Sequence, residues 1–215
     1  MTAPARFLVV LDADSTLIED EVIELLADAA GSRSLVTEVT ERAMRGEIDF
    51  AESLLARVET LAGLPTSVFA DVGRLIRPTP GVHDLIRGLH AHGSRVGVVS
   101  GGFHELLDPL ADALGLDHWR ANRLEVEDGR LTGRLVGPII DAAAKAAALQ
   151  EWAAAEGVAL PQTVAVGDGA NDLQMMGVAG LSIAFNAKPL VKGEADLVID
   201  VCDLSQVLPA LGLRG

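Results

Sequence analysis

The chain is expected to fold as an α/β protein: a Rossmann-like, mainly parallel sheet flanked by helices, with an inserted helical-bundle cap. Three observations carry this. Short apolar runs end abruptly in acids, hydroxyls or glycines, as buried parallel strands do where they open into a polar pocket. Phe7-Leu8-Val9-Val10 runs into Leu11-Asp12-Ala13-Asp14-Ser15-Thr16, Val96-Gly97-Val98-Val99 into Ser100-Gly101-Gly102, and Thr163-Val164-Ala165-Val166 into Gly167-Asp168-Gly169. From residue 82 onward, helical patterns alternate with such runs. Between residues 17 and 76 the periodic segments are all helical.

In chain order, the first strand ends at Asp12. Val22, Leu25, Leu26 and Ala29 then fall at helical spacing before Gly31, a natural stop. Val36, Val39, Ala43 and Met44 repeat the pattern, as do Phe50, Leu54, Leu55, Val58 and Leu61 before Gly63 and Pro65. Arg77-Pro78-Thr79-Pro80-Gly81 reads as the linker back. Residues 82–90 and 103–114 are expected as helices, the second stopped by Gly115. Residues 124–135 read as a hairpin turning at Asp128-Gly129. Asp141 can cap an Ala-rich helix that ends before Gly157. A helix over 171–176, a strand over 181–185, a short helix and a strand over 197–199 complete the chain. The expected division is a core of residues 1–16 and 77–215 and a helical cap of residues 17–76, placed over the strand ends.

Composition sets limits. A chain of 215 residues buries enough surface to fold without staples. Its single cysteine, Cys202, excludes an internal disulfide and a cysteine-rich zinc site, and is expected as a buried thiol. No apolar run approaches the ~18 residues of a membrane span, and the five-residue run before Asp12 is too short for a secretory signal. A cytoplasmic protein is expected. With 31 acids against 17 bases, the net charge of −14 disfavours nucleic acid and anionic membranes as partners. An anionic small substrate would need a few focused cations, backbone N–H groups or a metal. A homodimer is allowed for, but no motif sets the oligomeric state.

The chemistry-bearing residues sit at strand and helix ends. Asp12 and Asp14, with Asp168 and Asp172, make an oxygen-rich site suited to Mg²⁺. Ser100, Gly101 and Gly102 precede a helix, where free N–H groups favour an anion. Lys145, near a helix N-terminus, adds a point charge for phosphate oxygens. Taken singly, each has a plainer role: turn acid, helix cap or solvated lysine. Their recurrence at four ordered places favours phosphoryl chemistry.

These residues resemble the haloacid-dehalogenase-like phosphohydrolases. The motifs are Asp12-Ala13-Asp14-Ser15-Thr16, Val99-Ser100-Gly101-Gly102-Phe103, Lys145 and Gly167-Asp168-Gly169-Ala170-Asn171-Asp172. Glu21, and residues 43–50 leading to Arg57, narrow the likeness to the phosphoserine phosphatase branch. Ala13 departs from the aromatic or Met common there. Some relatives carry an N-terminal amino-acid-binding regulatory domain; with about six residues before the first strand, none is expected.

The resemblance implies that Asp12 attacks phosphorus to give an aspartyl-phosphate and that Asp14 serves as general acid, then base. It implies Mg²⁺ on Asp12, Asp168 and the Asp14 carbonyl, with Asp172 acting through water. Ser100, Gly101 and Lys145 would hold phosphoryl oxygens and Asn171 would support the site. Glu21 would meet the substrate ammonium, Arg57 its carboxylate, and Met44 and Phe50 an apolar wall. Three rivals share these parts: a phosphotransferase passing phosphate to an alcohol such as homoserine, a phosphatase of the same fold acting on another small phosphomonoester, and a receiver-like phospho-Asp signalling domain. The last is usually far shorter and has no inserted cap.

Overall fold

The computed structural model describes residues 5–45 and 47–213, with the backbone alone for Met44. Among the described residues seven strands form one sheet: β1 (Leu8–Leu11), β2 (Arg95–Phe103), β3 (His118–Glu127), β4 (Arg130–Val136), β5 (Thr163–Gly167), β6 (Leu181–Phe185) and β7 (Leu197–Ile199). Their order is β4-β3-β2-β1-β5-β6-β7, parallel throughout except for the β3–β4 hairpin. The chain moves from β1 to β2 on one side and reaches β5 on the other. Strand order therefore reverses at β1, the switch point where open α/β sheets leave a crevice beyond the carboxyl ends.

Alternation along the strands divides the core. Val9, Leu11, Val96, Val98, Val164, Val166 and Ile183 face one side. There they meet α5 (Val82–Ala91), α6 (His104–Leu114) and α10 (Val207–Ala210) through Leu85, Leu89, Leu107 and Leu208. Leu8, Val10, Ala165 and Ala184 face the other side. They pack on α7 (Ala142–Glu156), α8 (Leu173–Val178) and α9 (Pro189–Glu194) through Leu149, Trp152, Met175 and Val191. With both faces covered, β1 is apolar at every position, and each buried Leu or Val contributes about 1.5–3 kcal/mol.

Among the described residues between β1 and α5 there are four helices: α1 (Val22–Ala30), α2 (Arg33–Met44), α3 (Phe50–Glu59) and α4 (Val68–Gly73). A reciprocal Asp49–Glu52 capping box starts α3, and left-handed Gly31 ends α1. These helices share an apolar cluster (Leu26, Leu54, Val58, Leu61) with Phe103, Leu106, Leu124 and Leu131 of the sheet side. Backbone bonds from Gly63 to Leu131 and from Thr66 to Gly129 stitch the α3–α4 connection to the hairpin. The helical insertion is thus anchored at one flank of the sheet. Among the described residues no helix is long and apolar enough to cross a membrane.

Several details differ from the sequence reading. The strand expected to stop at Val99 continues through Ser100-Gly101-Gly102 to Phe103, so the glycines belong to β2 and not to a loop before α6. The segment 118–123, unassigned from sequence, pairs in parallel with β2 before its second half forms the hairpin. Ala29 and Leu55 are exposed: the stripe of α1 runs through Val22, Ile23, Leu26 and Ala27 instead. Cys202 is also exposed, in the turn after β7, so the expectation of a buried thiol is wrong. That expectation followed from the cysteine being a lone one, but three-residue β7 is an edge strand with little over it.

Candidate active site

The carboxyl ends of β1, β2, β5 and β6 surround one cavity of about 790 Å³, roofed by α1 and α3. Asp12 leaves β1 with its N–H donated to the Val166 carbonyl of β5. The next residues form a single wide turn, Ala13–Leu17, closed by bonds from Leu17 N–H to Asp12 and from Ile18 N–H to Ala13. Asp14 inside it is extended, at φ −61° and ψ 134°, so the segment is an irregular turn and not a helix. Ser15 sits there at φ 56°, a left-handed conformation that re-aims the chain toward α1.

Asp12 is buried, with the Lys145 ammonium 2.7 Å from its Oδ1. Lys145 is fully buried and also lies 2.8 Å from Oδ1 of buried Asp172. It stands one turn into α7, whose start is fixed by the Asp141 side chain accepting from Ala144 N–H. Asp172 Oδ2 in turn accepts from Gly169 N–H, and a side chain on Gly167 would collide with that carboxylate. Asn171 Nδ2 lies 3.5 Å from the second Asp12 oxygen, a long contact. One ammonium thus serves two carboxylates, with Asp14 and Asp168 nearby. Burial, then Asp172, push the Asp12 carboxyl well above its ordinary value despite Lys145; burial also works against the Lys145 charge, but the same two acids outweigh it and raise the Lys145 pKa.

Asp14 is half-buried and its Oδ1 accepts from Val22 N–H at the start of α1. Burial and then the Glu21 charge raise its pKa to about 7, poised for proton transfer near neutrality. Asp168 is raised to about 6, by burial first, with Lys188 working in the opposite direction. Oxygens of Asp12, Asp168 and Asp172 lie within 4.8 Å of one another, close enough to share a cation. A set of hard oxygen donors suits Mg²⁺ far better than a thiophilic metal.

The sequence-predicted residues divide in two. Asp12, Asp14, Gly101, Asp168 and Asn171 line the cavity from the core; Glu21, Phe50 and Arg57 line it from the helical side. Ser100 and Lys145 are buried beneath its wall, and the Ser100 hydroxyl accepts from Gly102 N–H. The Met44 side chain lies outside the described residues. Glu21 accepts from Ser15 Oγ at 2.8 Å, and Arg57 Nε donates to the Ser53 carbonyl one turn back on α3. Burial lowers the Arg57 pKa while Glu21 opposes that shift; among the described residues Arg57 forms no ion pair. Lys188, on the rim 3.8 Å from Asp168 Oδ2, was missed. Its signal was present: the polar Asn186-Ala187-Lys188 follows β6 at the same sheet edge that carries Asp12 and Asp168.

Residues 9–177 match the family described as haloacid dehalogenase-like hydrolase. The chain belongs to that family. The haloacid dehalogenase-like assignment agrees with relatives along nearly the full chain. A phosphoserine phosphatase of Streptomyces coelicolor is 56% identical over 97% of this chain and 51% of its own length. One from Streptococcus thermophilus is 50% identical over 95% of each chain. The chain therefore spans about half of the first relative and nearly all of the second. A solved structure described as a phospho-aspartyl intermediate analogue of phosphoserine phosphatase superposes with a TM-score of 0.90 at 42% identity. That match covers 96% of this chain and 99% of the other.

Proposed function

We propose that the protein hydrolyses O-phospho-L-serine to L-serine and phosphate through an aspartyl-phosphate on Asp12, with Mg²⁺ as cofactor. The observation that carries this reading is one cavity with two unlike ends. Clustered core acids stand at one end; Glu21 and an Arg57 without an ion-pair partner among the described residues stand at the other. Phosphoserine has matching parts: a phosphate for the first end, an ammonium and a carboxylate for the second. The relatives' phosphoserine phosphatase identity agrees with this choice. On this reading residues 17–76 act as a cap and the protein works in the cytoplasm, at the final step of serine synthesis.

Asp12 Oδ2, the oxygen facing away from Lys145, attacks phosphorus as the serine oxygen leaves. Asp14 gives that oxygen its proton, and the Asp12–phosphate bond forms as the phosphorus–serine bond breaks. Asp14, now a carboxylate, then takes a proton from water as it attacks the acyl-phosphate, releasing phosphate and restoring Asp12. A pKa of about 7 suits both halves. Lys145, Ser100 and the Gly101 region hold the equatorial oxygens, and Asn171 keeps Asp12 in place. Asp12, Asp168 and the Asp14 carbonyl would hold Mg²⁺, with Asp172 acting through water; the ion supplies charge neutralisation on the transferring phosphoryl group. Arg57 grips the substrate carboxylate as a planar fork, Glu21 faces the ammonium, and Phe50, with Met44, excludes water.

The direct test measures phosphate released from O-phospho-L-serine, O-phosphothreonine and p-nitrophenyl phosphate, with Mg²⁺ and with EDTA. Metal-dependent release that strongly favours phosphoserine is expected. Release from the aryl phosphate alone would remove the substrate assignment. Transfer to added homoserine in preference to water would make the protein a phosphotransferase. A phosphorylated Asp12 that persists for hours would make it receiver-like.

A further inference from the structure

Asn122 is a buried side chain on β3, 2% exposed, that no part of the proposed mechanism uses. Both ends of its amide are engaged. Nδ2 donates to the Gly101 carbonyl at 2.8 Å, and Oδ1 accepts from Ile140 N–H at 2.9 Å. Because each partner is backbone, the orientation of the amide is fixed: a carbonyl can only accept and an N–H can only donate.

The reason for this arrangement lies in the sheet. Val99 stands opposite Arg120 and Phe103 opposite Asn122, so four steps along β2 match two along β3. The extra residues, within 100–102, bulge out of the ladder and carry Gly101 and Gly102 to the cavity wall. A bulge leaves backbone groups without ladder partners, and a buried orphan carbonyl is costly. Asn122 supplies the Gly101 carbonyl with a donor from its side chain. Its other end reaches Ile140, the residue before Asp141, which caps the helix bearing Lys145. Phe50 closes over the same point: a Cβ on Gly101 would lie 3.2 Å from its ring.

We infer that Asn122 is a positioning residue: one amide sets the separation between the bulged Gly101 wall and the start of the Lys145 helix. The two elements approach the phosphoryl group from a strand and from a helix, so a shift of one against the other changes how the group is gripped. This rests on the phosphoryl-transfer reading of the cavity. A displacement near 1 Å in such a cradle can cost about a hundredfold in rate.

The test uses Asn122→Leu, alike in branching and number of heavy atoms but without polar groups, and Asn122→Asp. Wild-type activity on phosphoserine is established first; if there is none, the function has failed, and the Asn122 inference is then read from inorganic-phosphate binding by calorimetry. Asn122→Leu is expected to lower kcat/KM by about 10- to 100-fold and to weaken inhibition by inorganic phosphate by a similar factor. A purely structural role would only reduce the amount of folded protein, leaving KM and the phosphate inhibition constant at wild-type values; that result would overturn the inference.

Asn122→Asp keeps the acceptor for Ile140 but donates to Gly101 only when protonated. Its activity relative to wild type is therefore expected to rise as pH falls from about 8 to about 5.5. A flat ratio across that range would also overturn the inference, even if Asn122→Leu does not fold.

Discussion

The two ends of the cavity are built differently. At the core end, Lys145 and Asp172 are fully buried, Asp12 nearly so, and they bond to one another, leaving Asp12 Oδ2 with one long contact to Asn171. At the helical end, Arg57 is half-buried and holds one backbone carbonyl, and Glu21 holds one serine hydroxyl. The first end is held by the sheet and by bonds among its own buried charges; the second is held by single bonds from each side chain. A site that must position one phosphoryl group but release a small zwitterion is served by that asymmetry. It predicts that changes at the core end abolish chemistry or stability, whereas changes at the helical end alter preference between substrates.

The largest expected effect is at Asp12. Asp12→Asn keeps the shape but removes the attacking carboxylate, and should lower phosphoserine turnover on the order of 10³-fold or more. Turnover within tenfold of wild type would remove Asp12 as nucleophile. Lys145→Met follows. It strips the shared cation from two buried carboxylates, an uncompensated arrangement that costs about 3–5 kcal/mol, read by denaturant unfolding without metal. An unfolding midpoint equal to wild type would show that the buried acids are neutral in the fold.

Arg57→Ala sharpens the contrast. KM for phosphoserine should rise about 10- to 100-fold, whereas p-nitrophenyl phosphate, which has no carboxylate, should change by less than about threefold. Equal losses on both substrates would make Arg57 a support of α3 instead of a substrate contact.

The smallest effect concerns pH. The Asp14 pKa is raised from 3.8 unfolded to about 7 folded, and that of Asp168 to about 6. Between those limits the folded state binds protons that the unfolded chain releases, so stability falls as pH rises from about 4 to about 7. The metal-free protein should therefore melt at lower temperature at neutrality than at mild acidity, as far as these groups decide it. Mg²⁺ competes with those protons and should raise Tm more at about pH 7.5 than at about pH 5. An equal Mg²⁺ effect at both pH values would place the ion elsewhere.

Much of the core end was legible in the sequence because strand ends announce themselves: apolar runs at β1 and β5 stop at Asp12 and Asp168, and α7 shows its Asp141 cap. The helical end was legible only through family resemblance, since Glu21 and Arg57 have the spacing of any solvated helix pair. The bulge in β2 was not legible. Ser100-Gly101-Gly102 reads as a loop, and only its pairing with β3 shows it to be strand. The first half of β3 was hidden because His118, Trp119 and Arg120 are half-buried, so neither an apolar run nor clean alternation marks it. Lys188 was passed over because a lysine after a strand is usually solvated; only its place beside Asp168 gives it interest.

The most direct test of the account is to trap the covalent state. The protein, mixed with O-phospho-L-serine and Mg²⁺ and quenched in acid within milliseconds, is reduced with borohydride, which converts an acyl-phosphate to a primary alcohol, and mapped by peptide mass spectrometry. The account predicts reduction at residue 12 alone, absent when EDTA is present and absent in Asp12→Asn. Steady phosphate release with no modified residue, or with the modification on another acid, would contradict it.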